Sequence, residues 1–265
     1  VTTLLVIAKS PIPGRVKTRL IPPCTPTEAA ALARAALRDT LHTALATPAS
    51  RRVLVLDGAP GPWLPDGFEV VPQCAGGLDE RLATAFASCS GPTLLIGMDT
   101  PQVTPELLAC VRDLGPDDAA FGPASDGGFW ALGLGRPDGA LIRGVPMSTA
   151  TTGSVQLERL HTAGLRVRLL PTLRDVDTAA DAEAVASEVP DSRFAAQWRV
   201  VRATAAARGE ATPAVRGVAA DPVRGDVTPA VQGDATPAVQ GDAAHPARAD
   251  ASHPAHGATP TAIPR

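Results

Sequence analysis

Two hydrophobic periods alternate along the first 208 residues. Short apolar runs rich in leucine and β-branched residues fall at 3–8, 52–57, 68–72, 93–97, 119–122, 129–134 and 166–170. They predict strands. Between many of them, apolar positions recur at helical spacing and predict helices over 26–45, 78–88, 105–114, 153–163, 179–188 and 193–206. The first helix is signed at its start. Thr25 is placed to cap it, Pro26 to occupy its first position, and Glu28 to complete a capping box. Thr104 and Pro105 repeat the cap-then-proline signature. Alternation of strand and helix predicts an α/β fold with three layers and a mostly parallel central sheet. In such sheets ligands bind outside the carboxyl ends of the strands, so the loops there are where chemistry is sought.

The pattern stops near residue 208. From Ala211 onward an eight-residue unit repeats, as in VTPAVQGD followed by ATPAVQGD, with a proline in every copy and no aromatic residue. A unit this short has no apolar face that stacking would bury. Ordering each residue costs about 1–2 kcal/mol in backbone entropy, and nothing in the unit offsets it. The expected organisation is therefore a folded domain over 1–208 and a disordered, proline- and alanine-rich tail over 209–265. His245, His253 and His256 lie in that tail without the spacing of a preorganised metal site.

Composition narrows the function classes. The net charge of −3 lacks the basic excess that duplex nucleic acid demands. No apolar run reaches the eighteen or so residues of a membrane helix. No basic stretch followed by an apolar run opens the chain, so a cytoplasmic location is expected. Cys24, Cys74, Cys89 and Cys110 include no CxxC pair, which argues against structural zinc and against a disulfide scaffold.

The candidate chemistry lies in loops. The first strand runs into AKSPIPGRVKTRL, where Lys9, Arg15, Lys17 and Arg19 crowd between two prolines and Gly14. Lysine supplies a point charge and arginine a bidentate fork, so this loop, with Thr18 beside Lys17, suits a phosphate or diphosphate. It is no P-loop, because the upstream glycine is missing, and no GxGxxG follows the strand. PTLLIGMDTPQ ends an apolar strand in Asp99, a hard oxygen ligand placed to hold Mg²⁺ or Mn²⁺ against substrate phosphates. Asp177, in DVDT, is either a second carboxylate for that ion or the N-cap of the next helix. Asp126, Gly127 and Gly128 join two strands. They are either an acceptor site, with Asp126 binding or deprotonating a hydroxyl, or a plain hairpin turn. Arg81, in the first turn of a helix behind two glycines, is a candidate phosphate or base contact and equally a surface arginine. Ser148, Thr149 and Thr152 form a polar loop before a helix, a candidate acceptor contact. No GxSxG or HExxH occurs.

Taken in order, AKSPIPGRVKTRL, GGLDERLATAF, IGMDTPQ, GPASDGGFWALGL and DVDTAAD resemble the DUF2064 family, also called radical-SAM/selenodomain-associated transferase 1. The resemblance covers about residues 3–190. It implies a Rossmann-like GT-A fold of the nucleotide-diphospho-sugar transferase superfamily. In that reading Lys9, Gly14, Lys17 and Arg19 match the nucleotide-phosphate loop, and Asp99 matches the metal-binding aspartate. Asp177 matches the carboxy-terminal acid completing the metal site, and Asp126 to Gly128 match the turn near the acceptor. The implied activity is Mg²⁺- or Mn²⁺-dependent glycosyl transfer from a nucleotide-sugar to a small-molecule acceptor. Nucleotidyl transfer from a nucleoside triphosphate to a phosphorylated acceptor is the alternative, and a non-catalytic nucleotide-binding module is a third.

Overall fold

Strand β1 (Thr3–Lys9) is buried along nearly its whole length, and its neighbours lie on both sides in parallel register. The computed structural model describes residues 1–210; the repeats predicted to be disordered lie outside the described residues. A single seven-stranded sheet organises them, adding β2 (Arg51–Asp57), β3 (Glu69–Pro72), β4 (Thr93–Ile96), β5 (Asp118–Pro123), β6 (Phe129–Leu134) and β7 (Arg166–Leu169) in the order β3-β2-β1-β4-β6-β5-β7. All neighbours are parallel except β6, which runs antiparallel to both β4 and β5. The short Asp126-Gly127-Gly128 connection dictates that exception, since only antiparallel strands can be joined by so tight a turn.

Because successive side chains of a strand point to opposite faces, Leu4 and Leu5 enter different cores. Leu4, Val6, Leu54, Leu56, Leu94 and Ile96 pack under α1 (Pro26–Ala46). Leu5, Val53, Val55 and Leu95 meet Phe86 of α2 (Leu78–Ala87) and Leu160 of α4 (Thr152–Thr162). Apolar cover on both faces is what a mostly parallel sheet requires. A third cluster, around Leu32, Val176, Phe194 and Trp198, packs α1 against α5 (Ala179–Glu188) and α6 (Arg193–Ala207).

The capping box on α1 forms as its sequence predicts: Thr25 Oγ1 accepts from Glu28 N–H, and Glu28 Oε2 accepts from Thr25 N–H at 2.8 Å. One predicted helix is shorter than expected. The 105–114 pattern gives α3 (Pro105–Leu108) and then a 3₁₀ turn over Ala109–Asp113. The 3₁₀ turn buries Cys110 and Val111 while freeing the chain to bend at Gly115 into β5.

The strand order fixes where a ligand binds. From β1 the chain steps outward to β2 and β3, then returns to place β4 on the other side of β1. Connections therefore leave β1 and β4 in opposite directions and open a crevice at their carboxyl ends.

Candidate active site

That crevice holds a cavity of about 740 Å³. The β1 loop enters it under firm anchorage. Ser10 N–H donates to Asp57 C=O, and Lys9 N–H lies 3.3 Å from Met98 Sδ. Gly14 turns the chain at φ +77°. Val16 then drops into the core beneath α1, and Leu20, at the end of a 3₁₀ turn over Thr18–Leu20, drops into the α1–α5–α6 core. Between these two apolar anchors, Lys17 takes a left-handed backbone (φ 49°, ψ 40°) that few non-glycine residues adopt. Its side chain is only 8% exposed.

Lys17 joins three loops. Its Nζ lies 2.8 Å from Asp99 Oδ1 and 3.2 Å from Asp177 Oδ1. Arg19, largely in solvent, pairs with the other oxygen of Asp177 at 3.1 Å. Burial works against the charge on Lys17, but the Asp99 and Asp177 carboxylates outweigh it and raise its pKa, so the ammonium is protonated. The alternative role for Asp177 is thereby excluded, since Thr178 caps α5 with Asp181 completing the box. The two aspartates are held side by side by one backbone bond and one side-chain bond. Val176 N–H donates to Asp99 C=O at 3.0 Å, and Gln102 Nε2 donates to Arg174 C=O at 2.8 Å. Val176 is buried, and Asp175 and Asp177 on either side of it both line the cavity. Burial, and then the negative charge of Asp99 and Asp126, push Asp175 up to about 7. That carboxyl is a site residue the sequence reading left in the background.

Asp126 is exposed at the β5–β6 turn, where its Oδ1 accepts from Gly128 N–H at 2.8 Å. Gly127 has φ +90°, and a Cβ there would collide with the Ala150 carbonyl. Gly127 C=O accepts from Gly153 N–H at 2.8 Å, so the turn is bolted to the start of α4. Ser148 (φ 59°) and Thr149 line the cavity just before it, with Thr149 N–H donating to Thr152 Oγ1.

Arg81 lines the cavity but is already engaged. It donates to Gly76 C=O and Gln73 Oε1, both at 3.1 Å, and faces Asp57 at 3.5 Å. Gln73 in turn donates to Ala8 C=O at 2.8 Å. Sequence reasoning missed Gln73, although its place directly after β3 is the signal that would have found it. Every residue singled out from the sequence (Lys9, Gly14, Lys17, Thr18, Arg19, Arg81, Asp99, Asp126, Gly127, Gly128, Ser148, Thr149 and Asp177) lies on this crevice or, for Gly14 and Gly127, in a turn that shapes its rim.

Residues 31–149 match the family described as "Uncharacterized protein conserved in bacteria (DUF2064)". The chain is also similar to the structure of a "putative nucleotide-diphospho-sugar transferase" from Desulfovibrio desulfuricans G20, at 28% identity and a TM-score of 0.69, over 79% of this chain and 97% of that one. Weaker similarity links the chain to two further structures. One is Rv0371C of Mycobacterium tuberculosis H37Rv in complex with manganese (24% identity, TM-score 0.42, 69% of this chain and 96% of that one). The other is the nucleotidyl transferase Mth528 of Methanothermobacter thermautotroptrophicus (13% identity, TM-score 0.49, 71% and 96%). No curated protein is a significant match.

The donor set of this site suits a divalent cation. Asp99 and Asp177 pair with one buried ammonium, Asp126 and Asp175 line the same cavity, and all four are hard oxygen donors. Beside Asp99, the fully buried Thr100 Oγ1 has no hydrogen-bond partner among the described residues. No three Asp, Glu, His or Cys side chains among the described residues already stand at metal-holding distances. The fit is thus to an ion held by one or two carboxylates and completed by substrate phosphate, which is the usual manner of Mg²⁺. Among the described residues no helix is long and apolar enough to cross a membrane.

Proposed function

We propose that this protein is a Mg²⁺- or Mn²⁺-dependent transferase that takes a nucleotide-activated donor and passes a glycosyl group from a nucleotide-sugar to a small-molecule acceptor. The observation that carries the reading is Lys17 gathered with Asp99 and Asp177 at the carboxyl ends of β1 and β4. The similarity to the Desulfovibrio protein, whose description names a nucleotide-diphospho-sugar transferase, supports it. Asp99 and Asp177 are the residues that would hold the ion. When bound, it supplies charge neutralisation at the donor diphosphate. Lys9, Gly14, Lys17, Thr18 and Arg19 bind the donor phosphates, and Lys17 and Arg19 stabilise the charge that develops as the nucleoside diphosphate departs with the bonding electrons. The carboxylate of the exposed Asp126 accepts the proton of the acceptor hydroxyl as that oxygen bonds to the anomeric carbon the nucleoside diphosphate leaves, while Gly127, Gly128, Ser148 and Thr149 shape the acceptor end.

Sugar transfer is favoured over nucleotidyl transfer by the distribution of charge. The cavity's cations, Lys9, Arg15, Lys17, Arg19 and Arg81, come from the β1 loop and the start of α2. The acceptor end, with Asp126, Phe129, Met147, Ser148 and Thr149, contributes no cation. An anionic acceptor phosphate finds no partner there, whereas a neutral hydroxyl compound does.

A thermal-shift panel of the full chain with Mn²⁺ tests this, using GDP-, UDP- and dTDP-sugars, GTP, CTP and buffer. A ligand at a hundredfold its Kd adds about 2.7 kcal/mol. A Mn²⁺-dependent shift with one nucleotide-sugar, lost in Asp99→Ala, is expected. A shift with a triphosphate alone would replace the proposal by nucleotidyl transfer. Binding without turnover, in any donor–acceptor pairing, would leave only the nucleotide-binding module.

A further inference from the structure

Of the chain's 24 lysines and arginines, only Lys9 and Lys17 are lysines, one ending β1 and the other in the loop that follows it. A chain otherwise committed to arginine uses the compact ammonium where a cation is buried between two carboxylates. The geometry explains the choice. Lys17 Nζ has an oxygen of Asp99 on one side and an oxygen of Asp177 on another, at 2.8 and 3.2 Å. A near-spherical point charge with rotatable donors fits that position. A planar guanidinium fork suits it less, because its donors are spread over a larger plane and do not converge on one point between two oxygens. The left-handed backbone of Lys17 and the buried Val16 and Leu20 on either side hold the side chain to this target. The contrast with Arg19 is direct: it touches the same Asp177, but its side chain is 75% exposed.

We infer that Lys17 is a built-in stand-in for the divalent cation: its ammonium neutralises Asp99 and Asp177 in the metal-free protein and competes with the ion for those two carboxylates. This rests on the metal reading proposed above. It assigns the loop a second task besides phosphate binding, namely keeping the carboxylates together and charge-balanced when no ion is present.

Two measurements on the full chain test it. The first is Mn²⁺ affinity by calorimetry for the wild type, Lys17→Met and Arg19→Met. Both variants remove one positive charge beside Asp177, so general electrostatics strengthens binding in each. Direct competition makes Lys17→Met at least about tenfold tighter than wild type while Arg19→Met stays within about threefold, as expected for a screened surface charge. The second uses the wild type alone with ¹⁵N-labelled lysine, where the only side-chain ammonium signals are Lys9 and Lys17. Saturating Mg²⁺ is expected to move the Lys17 signal from a paired toward a solvated position. If Lys17→Met does not fold, this second measurement decides alone. Lys17→Met binding no tighter than Arg19→Met, or wild type binding Mg²⁺ with the Lys17 signal unmoved, would overturn the competition and leave the metal site standing. Absence of Mn²⁺ binding in all three folded proteins would overturn both.

Discussion

The backbone of Val176 donates to the carbonyl of Asp99 at 3.0 Å, and with the bond from Gln102 to the Arg174 carbonyl it sets the register between two segments that otherwise belong to different parts of the chain. Val176 is itself buried in the α1–α5–α6 core, so the core holds the site together from behind. Asp99→Asn keeps the shape of the side chain and removes the charge. It is expected to abolish the Mn²⁺-dependent part of any nucleotide-sugar stabilisation while leaving a cooperative melt. Asp177→Asn should do the same to a smaller degree. Retention of the full Mn²⁺-dependent shift in Asp99→Asn would place the ion elsewhere.

The β5–β6 turn makes a sharper structural demand. Gly127 combines φ +90° with a Cβ position already taken by the Ala150 carbonyl. Gly127→Ala must therefore strain the backbone and push away the loop that carries Ser148 and Thr149. Strain of this kind costs about 1–3 kcal/mol before the collision is counted. Thermal denaturation should show a loss of several degrees, and acceptor-dependent turnover should fall further than donor binding. A variant melting like wild type would mean that the 148–152 loop yields freely.

How much of this was legible beforehand differs from residue to residue. The strand at 129–134 and the helix at 179–188 match the structure at both ends, because each is bounded by strong local chemistry: a glycine pair before one, a threonine cap before the other. The Asp126-Gly127-Gly128 turn even announces an antiparallel pair. The helix expected over 105–114 breaks after Leu108, where tertiary burial of Cys110 and Val111 overrides a periodic pattern. The loops bearing Lys17, Asp99 and Asp177 stood out as loops. Their meeting at one ammonium did not, because spacing along the chain carries no information about which strands become neighbours.

Arg81 illustrates a residue whose type suggested ligand contact and whose surroundings give it a structural task. Its guanidinium ties the start of α2 to Gln73, which ties in turn to the end of β1. Arg81→Lys keeps the charge but cannot reach both acceptors from one planar group. It is expected to destabilise the protein by about 1–2 kcal/mol through the partner left unpaired on Gln73. Chemical denaturation of Arg81→Lys and Arg81→Met should give similar losses. A fully active, fully stable Arg81→Lys would show that charge alone is needed.

Glu28 links the cap of α1 to the far end of α6. Its hydrogen bond from Arg208 is the main reason its carboxyl is held at about 2, with Thr204 and Thr25 adding to the effect against burial. A carboxylate whose folded pKa lies below its ordinary 4.5 contributes stability that is complete above that value and is lost as pH falls toward about 2. Glu28→Gln should thus melt below wild type at pH 7, with the gap closing between pH 4.5 and 2. A gap that stays constant over that window would assign the effect to capping geometry rather than charge.

The same contact locates where the chain can be shortened. Arg208 places its guanidinium on both oxygens of Glu28, at 2.8 and 2.9 Å, and on the Pro23 carbonyl at 3.0 Å. Glu210 supports it from the other side at 3.0 Å. A protein ending at residue 210 keeps all of these bonds and is expected to melt with the full chain and to bind donor equally. A protein ending at residue 207 lacks Arg208, returns Glu28 toward its ordinary pKa and loosens α6 from the first turn of α1. It should melt several degrees lower at pH 7 and approach the longer protein near pH 2. A shared melting temperature for the two truncations at pH 7 would show that the Arg208–Glu28 pair contributes nothing. A drop already present at 210 would show that the repeats add to the stability of the domain.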